Sequence, residues 1–363
     1  MALTKVDQTM VNDQVFGRRR LNINGDMRIN QRGTKTSMTS GFGGPDRWTI
    51  LTNSLGVYTL SQSSSSPNNF AKSYQVTTTT ANGSPIAGAY AILSHKLEGN
   101  DLSSLKWGTA DAEQVTVSFW VYTNKTGTYN LELYQLDNSS NPSANKQYTV
   151  SSSNTWEKKV VTFPAANNVE IPLDNTNALN LNFWLGAGTT YTSGSASDGN
   201  FHSTQANRAA GNVNIADSTD NSFRLTGVQL EIGDNATPFE YRPHNQELIE
   251  SRRYFERKQA KQNSFLFIGQ SFSTVGAYGT FDYQVEKRND PSVSISAEGT
   301  SGDVWQWLTT AGGSPSGTGS TTAHTMTTWN ARFQAASYTG LTNQAPSGFY
   351  SFGTAYVDID AEL

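Results

Sequence analysis

Short segments of apolar–polar alternation, separated by turn-forming clusters, dominate this chain and limit what it can fold into. Over Val115–Tyr122 (VTVSFWVY), Val115, Val117, Phe119 and Val121 share one face, and Thr116, Ser118, Trp120 and Tyr122 share the other. Tyr129–Leu136 repeats the pattern, with Leu131 and Leu133 inward and Glu132 and Tyr134 outward. Trp156–Phe163 follows, then Leu181, Phe183 and Leu185 alternate with Asn182 and Trp184, and Phe223–Ile232 gives a last strand of this region. Ser61–Asn69 and Thr77–Pro85 are turn clusters. Strands at this spacing, with no helical period between them, predict an antiparallel two-sheet sandwich.

Composition supports a folded chain. Hydrophobic residues make up 36% and charged residues 15%, both below the typical values of about 45–50% and 25%. Disorder would deplete aromatics, yet Phe, Tyr and Trp reach 11%. A length of 363 residues suggests about two domains. The net charge of −4 leaves no nucleic-acid footprint, and Arg18, Arg19 and Arg20 read as a solvated or interface stripe. With no cysteine, disulfides and thiolate metal sites are excluded. Met1–Met10 lacks a signal-peptide core, and no run approaches the ~18 apolar residues of a membrane helix. The expectation is folding in a reducing cytosol, no membrane insertion, and release by a route such as lysis.

Residues 1–21 read as a polar arm that orders on a partner, and 22–244 as the sandwich. Thr189–Asp217 is rich in Gly, Ser, Ala and Asn and reads as loops. Near 245 the period changes. Asn245 suits an N-cap, Glu247 and Glu250 the first turn, and Arg252, Arg253, Arg257 and Lys258 the last turns. This predicts a helix over Gln246–Lys258 inside a connecting segment, 245–260. Residues 261–363 read as a second, smaller β domain. Its strands are expected near Phe265, Phe281–Val285, Val304–Leu308, Trp329–Phe333 and Tyr350–Ile359. The absence of an internal repeat argues against a long β-helix.

Several segments resemble one family. Asn22–Gly33 (NINGDMRINQRG), with Asp46-Arg47-Trp48, resembles the start of a domain of phage tail-fibre and minor structural proteins, itself similar to carbohydrate-binding modules of jelly-roll fold. VTVSFWVY and Thr155–Phe163 (TWEKKVVTF) are similar to central strands of such modules, and Gly227–Pro243 (GVQLEIGDNATPFEYRP) to the closing strand and exit of the phage version. Arg253-Tyr254-Phe255, EKRNDPSVSI from Glu286, the terminal YVDIDAEL and the opening MALTKVDQTMV also resemble pieces of those proteins. The resemblance implies an all-β chain with an antiparallel jelly-roll domain, forming a homotrimer. It implies anchoring to other virion proteins through the N-terminal arm, and attachment to a host surface glycan. The protein would be assembled in the host cytoplasm and act outside it on the virion. A capsid decoration, head-fibre or tail adaptor protein shares the same fold and composition and stays open as an alternative.

Catalytic motifs are not found. There is no G-x-S-x-G elbow, H-E-x-x-H pair or P-loop. His95, His202, His244 and His324 stand in dissimilar contexts. With 30 acidic residues, a sequence search for a glycosidase carboxylate pair carries no information. The expectation is no enzyme and no cofactor, with a capsule depolymerase as the enzymatic alternative. The family resemblance implies a structural calcium near the first and last strands, for which Asp26 and Glu231 are the candidates. Arg28 stands where related modules often carry a glutamate and opposes a cation.

The aromatic residues pose the sharper question. Trp120, Tyr122, Tyr134 and Trp184 fall opposite the apolar series of their strands, and together would form a platform in one sheet. Sugars stack on such rings, with Asn182 and Glu132 accepting hydroxyls. The same rings suit burial against a neighbouring subunit. Trp305 and Trp307 are a second pair of candidates.

Overall fold

The computed structural model describes residues 18–136, 142–261, 264–297, 305–309, 320–337, 341–351 and 354–363. The chain is all-β and antiparallel, and divides into two units, each followed here separately. The first gathers Met1–Arg28, Thr34–Gly43 and Trp48–Arg242; the second gathers Ile29–Gly33, Gly44–Arg47 and Pro243–Leu363. The expected continuous domain over 22–244 is therefore corrected, because two short early segments belong to the later unit.

The first unit is a jelly-roll sandwich of twelve strands. In chain order they are β1 (Lys35–Met38), β2 (Gly41–Phe42), β3 (Trp48–Asn53), β4 (Val57–Ser63), β5 (Ser73–Thr80) and β6 (Tyr90–Glu98). There follow β7 (Val115–Thr123), β8 (Gly127–Gln135), β9 (Ser143–Val150), β10 (Glu157–Phe163), β11 (Asn177–Ala187) and β12 (Ser222–Ile232). One sheet runs β1, β4, β5, β12, β7, β10, and the other β2, β3, β6, β11, β8, β9. From β5 onward the chain repeatedly crosses between sheets, which brings the apolar faces of alternating strands together. Val117, Phe119 and Val121 of β7 meet Leu181, Phe183 and Leu185 of β11, all fully buried. Phe119 and Phe183 pack edge to face at 5.0 Å. Truncating such a ring to alanine typically costs about 3–5 kcal/mol.

The segment before β1 is not a free arm up to residue 21. Leu21 donates its amide to Leu230 O at 2.9 Å, and Asn22 clamps β12 from both sides, giving Nδ2 to Val228 O and taking the Leu230 amide, each at 2.9 Å. Arg20 is fully buried over the Phe239 ring at 5.0 Å, which corrects the solvated stripe. Gly25 is required here, since a Cβ would lie 2.1 Å from Val228 O. Opposite it, Gly227 makes the bulge of β12 at φ +62°. Glu240 accepts the amides of Arg19 and Arg20, and Arg28 reaches Arg242 O at 2.8 Å. The NINGD and GVQLEIG…FEYRP motifs are thus each other's partners. Residues 1–17 of the expected arm lie outside the described residues.

In the second unit a helix, α2 (His244–Arg252), follows the short α1 (Thr189–Thr192) of the sandwich in chain order. The predicted helix over Gln246–Lys258 is corrected: Phe255–Ala260 is a strand, β13. It pairs residue by residue with the last strand, Phe255 opposite Asp360 through Ala260 opposite Ala355. Tertiary pairing overrides a charge pattern that suits a helix end. The remaining strands are β14 (Ser264–Ser271), β15 (Ala277–Asp282), β16 (Ser292–Ala297), β17 (Trp305–Thr309), β18 (Ser320–Met326), β19 (Asn330–Ala336), β20 (Pro346–Ser351) and β21 (Ala355–Asp360). They form a three-stranded sheet (β13, β21, β16) and a six-stranded sheet (β17, β20, β14, β15, β19, β18). Phe267, Phe281, Phe333 and Phe349 stack in their core.

INQRG, Asp46-Arg47, RYFER and the residues up to Leu363 meet in this unit. Arg47 lies 3.4 Å over Tyr254 and pairs with Glu362, while Arg32 lies 3.6 Å over Phe255 and reaches Asp360 and Glu362 at 3.0 and 3.1 Å. Asp46 takes the amide of Gln31 at 2.9 Å. Burial pushes its carboxyl above the ordinary range, against the opposing pull of Arg32. These motifs therefore carry packing and charge neutralisation. Among the described residues no helix is long and apolar enough to cross a membrane.

Candidate functional site

The four platform residues do not share a sheet. Trp120 and Tyr122 lie on β7 of the first sheet, and Tyr134 and Trp184 on β8 and β11 of the second. Alternation places each on an outer face, but the faces look out from opposite sides of the sandwich. The single platform is thereby corrected. On the first sheet, Arg224 sits 4.8 Å over Tyr122, with Trp156 5.4 Å away on its other flank. Trp305 and Trp307 fall on β17, opposite Ser351 and Phe349; their side chains lie outside the described residues.

The second sheet's outer face carries a groove of about 380 Å³, inside the ~300–1,000 Å³ range of small-ligand sites. Cross-strand register builds its floor in rows. Asn180 of β11 stands between Lys96 of β6 and Tyr134 of β8; Asn182 stands between Ser94 and Glu132; Trp184 stands beside Ile92, which faces Leu51 of β3. The excursion after β11 folds back over this floor and supplies Tyr191, Gln205 and Arg208 as a wall. It covers Trp184 completely, packing Tyr191 5.3 Å from the indole. Trp184 is therefore the anchor of the wall rather than an exposed ring. The half-buried rings lining the groove are Tyr90, Tyr134 and Tyr191.

The wall is fastened at Glu132, which is fully buried. Its oxygens take two hydrogen bonds from Arg208, at 2.6 and 3.0 Å, one from Asn182 Nδ2 at 2.9 Å and one from Trp184 Nε1 at 3.1 Å. Burial works against the Arg208 charge, but Glu132 outweighs it and holds the guanidinium above its ordinary range. Arg208 also lies 4.2 Å over the Tyr134 ring. A second tether is His202, whose Nε2 meets Asn145 Oδ1 at 2.7 Å while Nδ1 accepts the Thr204 amide at 3.2 Å. Burial lowers its pKa, against the pull of Glu132.

What remains is a set of polar atoms without partners. Asn182 must turn Nδ2 to the carboxylate, which only accepts, and this leaves its Oδ1 unpaired. Asn180 Oδ1 is likewise unpaired, as is the hydroxyl of Ser94 beside Asn182. All three residues are buried, with Asn180 at 3% and Asn182 at 1% exposure. Each such orphan costs about 1–3 kcal/mol in an empty site. Sequence reasoning reached Tyr134, Trp184, Asn182 and Glu132 but missed Arg208. Its one signal is that it is the only Lys or Arg between Lys159 and Arg224.

Of the candidate metal residues, Asp26 pairs with Arg28 through Oδ2 and leaves Oδ1 unpaired, while Glu231 accepts from Gln229 and from Thr237 through both amide and hydroxyl. Among the described residues, no three His, Cys, Asp or Glu side chains converge as a metal site.

No protein-family model matches this chain, and no curated protein matches it. Among solved structures it is similar to the enzymatically active domain of bacteriophage CBA120 tailspike protein 4, at 13% identity and a TM-score of 0.30. That match covers 54% of this chain and 21% of the tailspike chain. It is also similar to the family 11 carbohydrate-binding module of a cellulosomal cellulase of Clostridium thermocellum, at 10% identity and a TM-score of 0.29, over 57% of this chain and 98% of that one. A xylan-binding domain from Paenibacillus barcinonensis matches at 12% identity and a TM-score of 0.25, over 60% of this chain and 96% of that one.

Proposed function

We propose that this protein is a virion appendage subunit, a tail fibre or fibre-like attachment protein, whose sandwich holds a host surface glycan in the groove of the second sheet. The observation that carries the glycan reading is the pair of unpartnered acceptors, Asn180 Oδ1 and Asn182 Oδ1, set among three half-buried tyrosines. A sugar supplies what that surface lacks, namely hydroxyl donors for the carbonyls and C–H faces for the rings. The virion reading rests on the resemblance of the NINGD, DRW and GVQLEIG motifs. A homotrimer, with its N-terminal segment held by other virion proteins, completes it. Glycan is bound and released unchanged in this proposal: among the described residues the groove's lining includes no carboxylate, and Glu132 beneath it is committed to Arg208, Asn182 and Trp184.

Asn180→Leu tests the reading. Removing an unpaired buried carbonyl relieves a desolvation cost, so thermal stability should hold or rise. Affinity for the host's purified surface polysaccharide, measured by calorimetry, should fall about tenfold, equivalent to about 1.4 kcal/mol. Unchanged affinity in a folded variant would refute it.

A further inference from the structure

Resting on that glycan reading, the geometry points to a narrower ligand class: we infer that the groove selects sugars bearing an N-acetyl group. The argument begins with what a plain hexose leaves unsatisfied. A neutral pyranose surrounds its ring with hydroxyls, and it would meet the acceptors and the tyrosines. Its C–H faces are taken up by the tyrosines, and it has no methyl group to add on an aliphatic surface. Yet the same groove is lined by Leu51, Ile92 and Leu136, and Leu136 is 41% exposed.

Register fixes the relation between the two features. Leu51 pairs with Ile92, Ile92 with Trp184, and Trp184 is the next outward residue along β11 from Asn182. Successive outward positions lie ~6.6 Å apart. Ile92 is therefore the diagonal neighbour of Asn182 on a single face, one strand over and one outward step along. At the other end of the row, Leu136 is the next outward residue after Tyr134, which pairs with Asn180 and its unpaired carbonyl. Each acceptor thus has an aliphatic side chain on its diagonal, within reach of one substituent.

An acetamido group has this pairing within one substituent, with an N–H that donates and a methyl that seeks apolar cover. The Asn182 amide already gives one of its two N–H donors to Glu132 at 2.9 Å, so its unpaired carbonyl is the atom it has to offer a ligand donor. A free amino sugar also donates, but it brings a cation toward Arg208 and Lys96, both in the lining, and has no methyl for the leucines. The acetylated form is favoured on both counts.

The test compares tetrasaccharides of N-acetylglucosamine, of N-acetylgalactosamine, of glucosamine and of glucose by calorimetry on the intact protein. One methyl-sized group in an apolar pocket is worth roughly 10- to 200-fold, so at least one N-acetylated chain should bind tenfold or more above both others. Leu136→Ser should cut that preference several-fold with an unchanged melting temperature, since the side chain is already partly exposed. Glucose binding as tightly as the acetylated chains would overturn this inference and leave the glycan reading standing. Binding of no glycan, including the host polysaccharide, would overturn both.

Discussion

Arg208 grips Glu132 with two hydrogen bonds, at 2.6 and 3.0 Å, and so fastens a glycine- and serine-rich excursion onto the outer face of a β-sheet. Glu132 is fully buried, and the Arg208 side chain is 14% exposed. The pair converts a stretch with little to bury by itself into one wall of a groove.

Breaking that pair from the glutamate side should cost more than any surface exchange. Glu132→Ala leaves a buried guanidinium without its counter-charge, a loss of about 3–5 kcal/mol. The sandwich should melt well below wild type, and limited proteolysis should cut first within residues 189–217. Equal melting and equal protection would mean that the ion pair does not hold the wall.

The two tryptophans that looked equivalent in sequence should behave differently. Trp184→Ala empties a fully buried site under the wall, with a stability loss of about 3–5 kcal/mol and loss of glycan binding with it. Trp120→Ala lies on the other sheet and should leave affinity in the groove unchanged. A Trp120→Ala variant that folds but no longer binds would move the site to the first sheet.

Acid should loosen the wall through His202. Its folded-state pKa is lowered, so the folded protein prefers the neutral ring that accepts from Thr204 and donates to Asn145. That contribution is whole above an unfolded value of 6.5 and is lost as the pH falls from there through the lowered folded value. The melting temperature of wild type should drop between pH 7.5 and 5 more steeply than that of His202→Asn. Parallel curves would remove His202 from the account.

Much of the sandwich was legible because alternation reports which face of a strand is buried. Val115–Val121 and Leu181–Leu185 point inward as their pattern indicates. Alternation says nothing about which sheet a strand joins, and so Trp120 and Trp184 seemed to share a platform. The helix over Gln246–Lys258 overran because Arg257 and Lys258 suit a helix terminus, whereas pairing of Phe255–Ala260 with β21 depends on residues a hundred positions away. Arg208 was illegible for a similar reason, since its partner Glu132 lies 76 residues earlier. The motifs that carried the family resemblance marked packing: Asn22 and Gly25 hold β12, and Arg47 covers Tyr254.

The most direct measurement of the central claim is chemical-shift mapping of the protein titrated with a binding fragment of host polysaccharide, read at side-chain amides and indoles. The side-chain amides of Asn180 and Asn182 should shift in proportion to occupancy, while the Trp120 indole on the opposite sheet stays in place. Shifts at Trp120 with Asn180 and Asn182 unmoved would contradict it.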